Sequence, residues 1–236
     1  MLGDTALARQ SLEEALSIQR TFEDKASLAW SLQFLGSVLA YDKEYDLADA
    51  TFQEGLALTR KLGGVHANNF LHFLGDIDMQ KGDRSRAKKI YEESVNVLRA
   101  IGSKSFLAYP LRRLGYLALG ENDIPKAWKY FQESLAVNMQ VGDKRAVAAC
   151  LTSLAALAMR LDKPVAAARL CGVVESRLES LSVNLLYTDQ AELGHIIGRL
   201  PTYLDEATFT AAFTEGWGMS EEQAIELVGD IFREED

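Results

Sequence analysis

Proline is scarce in this chain: 4 residues among 236, against 17 glycines. With so few helix breakers, and with Ala, Leu and Glu abundant, helix is favoured almost everywhere. Valine and isoleucine are sparse and rarely alternate with polar residues, so no segment shows the two-residue period of a strand. Cysteine is nearly absent. Cys150 and Cys171 both fall in apolar helical stretches, which excludes a disulfide framework and fits two buried thiols in a reducing cytoplasm. Basic residues are outnumbered, 25 to 34, for a formal charge of −9. No Lys/Arg cluster offsets that balance, so direct binding to a nucleic-acid backbone is excluded. No apolar run approaches the roughly 18–20 residues of a membrane span. The opening MLGDTALARQ lacks the basic and apolar regions of a signal peptide.

The sequence also lacks the signatures of a reaction centre. There is no GxxxxGK[ST] and no HExxH. His66 and His72 are six apart, off one helix face, and His195 sits in an apolar stretch, so all three read as structural or surface residues and no metal is expected. The serines lack a GxSxG setting. Neither cysteine has the basic neighbours that make a reactive thiolate. The acidic pairs Glu13-Glu14, Glu92-Glu93 and Glu221-Glu222 point about 100° apart on a helix and read as solvated faces, and the terminal REED as a frayed acidic end. The chain is therefore expected to be non-catalytic and to need no cofactor.

What the sequence does contain is a repeat. Gly36, Gly75, Gly115 and Ala155 lie in similar helical stretches, 39, 40 and 40 residues apart. Twelve residues after each comes a small residue: Ala48, Ala87, Ala127 and Ala167. Four further on comes a bulky one, Phe52, Tyr91 and Phe131, with Cys171 at the weaker fourth position. Glu54, Glu93 and Glu133 follow two later, and Gly63, Gly102 and Gly142 close three of the units. Each unit reads as two amphipathic helices in close contact. The small residues admit the approach and the bulky one fills the gap beside it. The closing glycines suit the left-handed end of a helix, and Ser103 or Asp143 is placed to cap the next. Gly82-Asp83 and Glu121-Asn122-Asp123 are turn signals inside the units, and Pro125 and Pro164 suit a first helical turn. The units fall at about 24–63, 64–102, 103–142 and 143–182. They follow a half unit around Ala8, and a helical capping segment occupies 183–236.

This small-to-large pattern resembles the tetratricopeptide repeat (TPR), over roughly Ala8 to Leu178. The period of about 40 exceeds the usual 34, and the closing proline is missing. The resemblance implies an all-α, right-handed α-solenoid. The extended period resembles the arrays of large bacterial signalling ATPases and LuxR-type regulators. So does the tail: an AARL-x-G helix leads to Phe209, Ala212, Phe213, Glu215, Gly216, Met219, Ser220, Glu222, Gln223, Ala224 and Ile225. Ser220 and Gln223 have the spacing of a capping box. Arrays end in capping elements rather than half units. The chain is therefore expected to be a piece of a longer protein; the alternative is a protein that begins with a lone capping helix. The resemblance of the tail implies a nucleotide-binding switch domain upstream.

By the same resemblance, the first helices line a groove at Trp30, Gln33, Ser37 and Tyr41; Asn69, His72, Asp76 and Gln80; Tyr109, Arg112, Tyr116 and Gly120; and Ala149, Thr152, Ala156 and Arg160. The set is aromatic and amide-rich and lacks the Lys/Arg run of a carboxylate clamp. It suits a neutral peptide, a partner helix or a small polar ligand. Two placements of Trp30, Tyr109 and Tyr116 stay open, in the groove or packed between units. The expected function is an interaction and sensing module that takes a protein, a peptide or a small-molecule inducer and biases an upstream switch. The alternative is a plain scaffold. The uncovered face of the N-terminal half unit is expected to allow pairing with a second copy.

Overall fold

The structure, a computed structural model, describes residues 5–22, 24–62, 65–185 and 187–233. Gly63, the side chain of His66 and the last residues of the REED end lie outside the described set. The described residues form α-helices and one 3-10 turn, with no strand among them: an all-α repeat array, as expected. The chain divides into two compact bodies, Met1–Pro110 and Leu111–Asp236.

The first body contains α1 (Thr5–Gln19), α2 (Lys25–Tyr41), α3 (Tyr45–Leu62), α4 (Val65–Lys81), α5 (Arg84–Ala100) and the start of α6 (Ala108–Gly120). The second continues through α7 (Ile124–Val141), α8 (Lys144–Arg160), α9 (Pro164–Leu181) and α10 (Tyr187–Arg199). A 3-10 turn at Leu200–Thr202 follows, then α11 (Glu206–Trp217) and α12 (Glu221–Arg233). The tail after Ser182 packs within the second body against α8 and α9.

Close approach inside each hairpin has a direct steric basis. A Cβ built on Gly36 would lie 2.3 Å from the Phe52 ring, one on Gly75 2.5 Å from Tyr91, and one on Gly115 2.3 Å from Phe131. The following small residues Ala48, Ala87, Ala127 and Ala167 are wholly buried, as are Phe52, Tyr91, Phe131 and Cys171. The fourth hairpin uses a different and smaller pair. Ala155 replaces the glycine and the small Cys171 replaces the aromatic, both buried.

The turns repeat as faithfully as the packing. Lys43, Gly82, Asn122 and Asp162 occupy equivalent positions, and all are left-handed, with φ of 64°, 82°, 61° and 55°. In each, the next residue's N–H donates back to the first helix: Glu44 to Leu39, Asp83 to Asp78, Asp123 to Ala118 and Lys163 to Ala158. This is the bond pattern that ends a helix on a left-handed residue. Asp83, Asp123 and Asp143 then cap α5, α7 and α8 through their carboxylates. Ser103 does not cap: α6 begins at Ala108, and residues 104–107 form a turn closed by Leu107 N–H on the Lys104 carbonyl. Glu54 and Glu93 have partners one repeat back, Arg20 to Glu54 at 3.0 Å and Arg60 to Glu93 at 2.5 Å. These pairs are exposed, so they favour one register while adding little stability.

Two substitutions test this reading. Gly75→Ala gains helix propensity but pushes a methyl into Tyr91, whose hydroxyl is tied to Asp76. A net loss of about 1–2 kcal/mol in urea unfolding is expected. Lys43→Gly relieves a left-handed non-glycine residue, and a gain of about 0.5–1 kcal/mol is expected by the same measurement.

Candidate functional site

On α2 the positions 30, 33, 34, 37 and 41 fall within an arc of about 100° around the helix. Trp30, Phe34 and Tyr41 there are half-exposed, at 50%, 53% and 52%. Trp30 stacks on Phe34 with centroids 6.2 Å apart. The sequence reading named Trp30 and Tyr41 but not Phe34, although its four-residue spacing from Trp30 marks the same face. Gln33 and Asn69 are half-buried. With Trp30, Ala26, Ala29, Thr59 and Phe70 they line a recess between α2, α3 and α4. Ser37 is occupied locally, its hydroxyl donating to the Gln33 carbonyl at 2.9 Å. Gln80 is exposed at the end of the α4 face.

His72, Asp76 and Tyr109, all expected in the groove, are brought together in one polar network. Asp76 accepts from the Tyr91 hydroxyl at 2.5 Å and from the Tyr109 hydroxyl. The Tyr109 ring packs on His72 with centroids 5.0 Å apart. The Ser94 hydroxyl donates to Asn68 Oδ1 at 2.6 Å, which turns the amide nitrogen of Asn68 toward His72 Nε2 at 2.8 Å. That nitrogen can only donate, so Nε2 accepts and the proton sits on Nδ1. Burial holds the His72 pKa down at about 4, against an opposing pull from Asp76. Asn68 and Ser94 were missed by sequence reasoning: one neighbours the predicted Asn69, and the other sits on a second helix. Tyr91 was read only as bulk, yet its hydroxyl is half of the clamp on Asp76.

The corresponding positions of the second body are not an open groove. Arg112 is 4% exposed and forms a two-pronged ion pair with buried Asp189 of α10, Nη2 to Oδ2 at 2.9 Å beside Nη1 to Oδ1. Desolvation opposes its charge, but the Asp189 carboxylate outweighs it and raises the Arg112 pKa. Thr152, Ala149 and Ala156 are buried on α8, and every residue of α8 from Val147 to Ala158 is buried. The physical reason is α10, which lies on α8 and contributes Leu193 and Ile196 to the same core. Tyr116 packs edge-on to Phe131, and its hydroxyl is buried without a hydrogen bond. Burial raises its pKa. The neighbouring Ser153 hydroxyl donates to the Ala149 carbonyl at 3.1 Å, and its oxygen keeps acceptor capacity toward the Tyr116 O–H. Gly120 is exposed at the end of α6, and exposed Arg160 donates to Asn122 at 2.7 Å.

The thiols are placed for packing. Cys150 lies between Ser134 and Asn138, each at 3.2 Å, and burial raises its pKa; burial pushes Cys171 up to about 12. Among the described residues, no group of three or more His, Cys, Asp or Glu is placed to hold a metal. No described helix is long and apolar enough to cross a membrane.

The arrangement resembles solved repeat proteins. The crystal structure of BtubC (BKLC) from P. vanneervenii superposes with a TM-score of 0.63 at 16% identity, covering 98% of this chain and 90% of that one. A Podosopora anserina putative kinesin light chain with nearly identical TPR-like repeats superposes at 0.57 and 13% identity, covering 91% and 99%. A single-substitution form of the same kinesin light chain gives 0.59 at 15%, covering 76% and 89%. No protein-family model matches the sequence, and no curated protein matches it.

The His72 network has a consequence for stability against pH. Unfolded, His72 binds a proton near pH 6.5; folded, near 4. Stability is therefore full above pH 6.5 and falls as pH drops toward 4. Urea midpoints at pH 7, 6 and 5 should decline in the parent chain and decline less in His72→Gln. Taken with the superpositions, the paired helices, their left-handed turns and their ring-on-glycine contacts give this chain the fold of TPR-like repeat proteins.

Proposed function

We propose that this chain is a protein-interaction module whose first two repeats bind a peptide segment or partner helix along the exposed face of α2 and α4. One observation carries the reading: Trp30, Phe34 and Tyr41 form a half-exposed aromatic stripe on one helix face, beside the amides of Gln33 and Asn69. Aromatic anchors flanked by amides suit a neutral or weakly polar segment. The lack of clustered Lys/Arg disfavours a strongly acidic one. The polar network behind this face holds α4, α5 and Tyr109 in fixed geometry, a prepared surface rather than one assembled on binding.

A wider role follows from the resemblance of the tail. Its residues from Phe209 to Ile225 support a place as the regulatory arm of a larger signalling ATPase or LuxR-type regulator, with a small-molecule inducer as a second class of ligand. Several of these residues also have structural duties. Glu215 pairs with Arg169 at 2.8 Å, and Ser220 and Gln223 form the capping box of α12.

The test is quantitative capture of binding proteins by the full chain and by Trp30→Ala/Tyr41→Ala, followed by affinity measurement on the strongest partner. The variant should keep its unfolding midpoint and bind about tenfold or more weakly. Equal capture by both chains would remove the α2 face from consideration. If only small metabolites raise the melting temperature, the inducer reading takes its place.

A further inference from the structure

We propose that the face of α6 and α8 beneath α10 is a second binding site, that α10 is its displaceable resident, and that a partner helix carrying a carboxylate for Arg112 takes its place. The site lies in the second body and does not rest on the α2 face. Three observations converge on it.

First, α10 stands outside the repeat stack. It intervenes between α9 and α11, yet α11 packs along α9 through backbone contact on its own account. A Cβ on Gly216 would meet the Arg169 carbonyl at 1.9 Å, and one on Gly172 the Phe213 carbonyl at 2.1 Å. Arg169 and Glu215 tie the same pair of helices together. Removing α10 leaves those contacts in place.

Second, α10 is a weak helix. Gly194 and Gly198 fall within its 13 residues, and a Cβ at either would meet nothing within 4 Å. No packing constraint accounts for them, and each weakens the helix relative to alanine.

Third, its anchor sets position more than strength. The Arg112–Asp189 pair is buried, so the attraction within it is largely offset by the loss of water around both charges. When α10 departs, both charges return to water.

The seat defines the partner. Ala149, Thr152 and Ala156 offer α8 as a smooth surface for a helix, with Arg112 as a fixed carboxylate receptor. In α10 and the turn after it, Asp189 is followed by Leu193, Ile196 and Leu200 on one face, all buried. A competing helix presents Asp or Glu and then apolar residues at the same spacing.

Hydrogen exchange on the full chain tests displaceability. Amides of α10 should exchange at least about tenfold faster than those of α8 and α9. Gly194→Ala/Gly198→Ala should slow α10 alone. Exchange of α10 no faster than α8 and α9 would overturn the proposal. A labelled peptide copying residues 185–200, titrated against the Asp189→Ala chain, tests the seat. Binding is expected, and at least about tenfold weaker for a peptide with the same substitution. No binding to a variant with intact helical circular dichroism would overturn the proposal, as would loss of the whole fold in Asp189→Ala.

Discussion

The contact on which the rest depends is the aromatic ring lying against a residue that has no side chain. At Gly36, Gly75 and Gly115 the facing ring occupies the space where a Cβ would stand. Two helices held that close bury their small residues completely, and the turn joining them has little freedom left. The left-handed residue therefore recurs at the same place in all four hairpins, whether it is glycine, asparagine, aspartate or lysine. Packing sets the backbone there, and local preference yields to it. The fourth hairpin keeps the left-handed turn, at Asp162, with buried Ala155 and Cys171 in place of glycine and ring.

Equivalent repeat positions meet different fates in the two bodies. On α2, Trp30 and Tyr41 stay in contact with solvent. On α6 and α8, Arg112 and Thr152 are sealed, because α10 lies across α8 and brings Asp189 to the guanidinium. An arginine on such a face serves equally as a receptor for an incoming carboxylate or for one supplied by the chain itself. The difference is made by 13 residues that are not part of the repeat.

Polar groups that look like a site in sequence are, in the first body, a brace. Asp76 holds two tyrosine hydroxyls from two other helices, and the Ser94–Asn68 pair fixes the tautomer of His72. The Tyr91, Tyr109 and Ser94 hydroxyls and the Asn68 amide all donate within the network, which commits those donors. The aromatic stripe on α2, with Trp30 stacked on Phe34, keeps about half of each ring exposed and for that reason carries the functional reading.

The amino-acid sequence by itself determined the helix pairs, their period, some of their turns and caps, and the small-against-large contact. All of these are local: a 40-residue spacing, a glycine, an aspartate before a helix. It also marked the tail through Arg169, Gly172, Glu215 and Gly216, whose common purpose is the α9–α11 contact. Only the tertiary structure decided which groove positions are open. Whether Arg112 faces solvent depends on Asp189, 77 residues away, and on the path of the non-repetitive segment between α9 and α11. The membership of Asn68 and Ser94 in the His72 network likewise depends on the rotation of α4 against α5. Periodicity along a chain records which residues share a helix face. It carries no record of which later segment comes to rest upon that face, because that is settled by the free energy of burying the segment and its ion pair together.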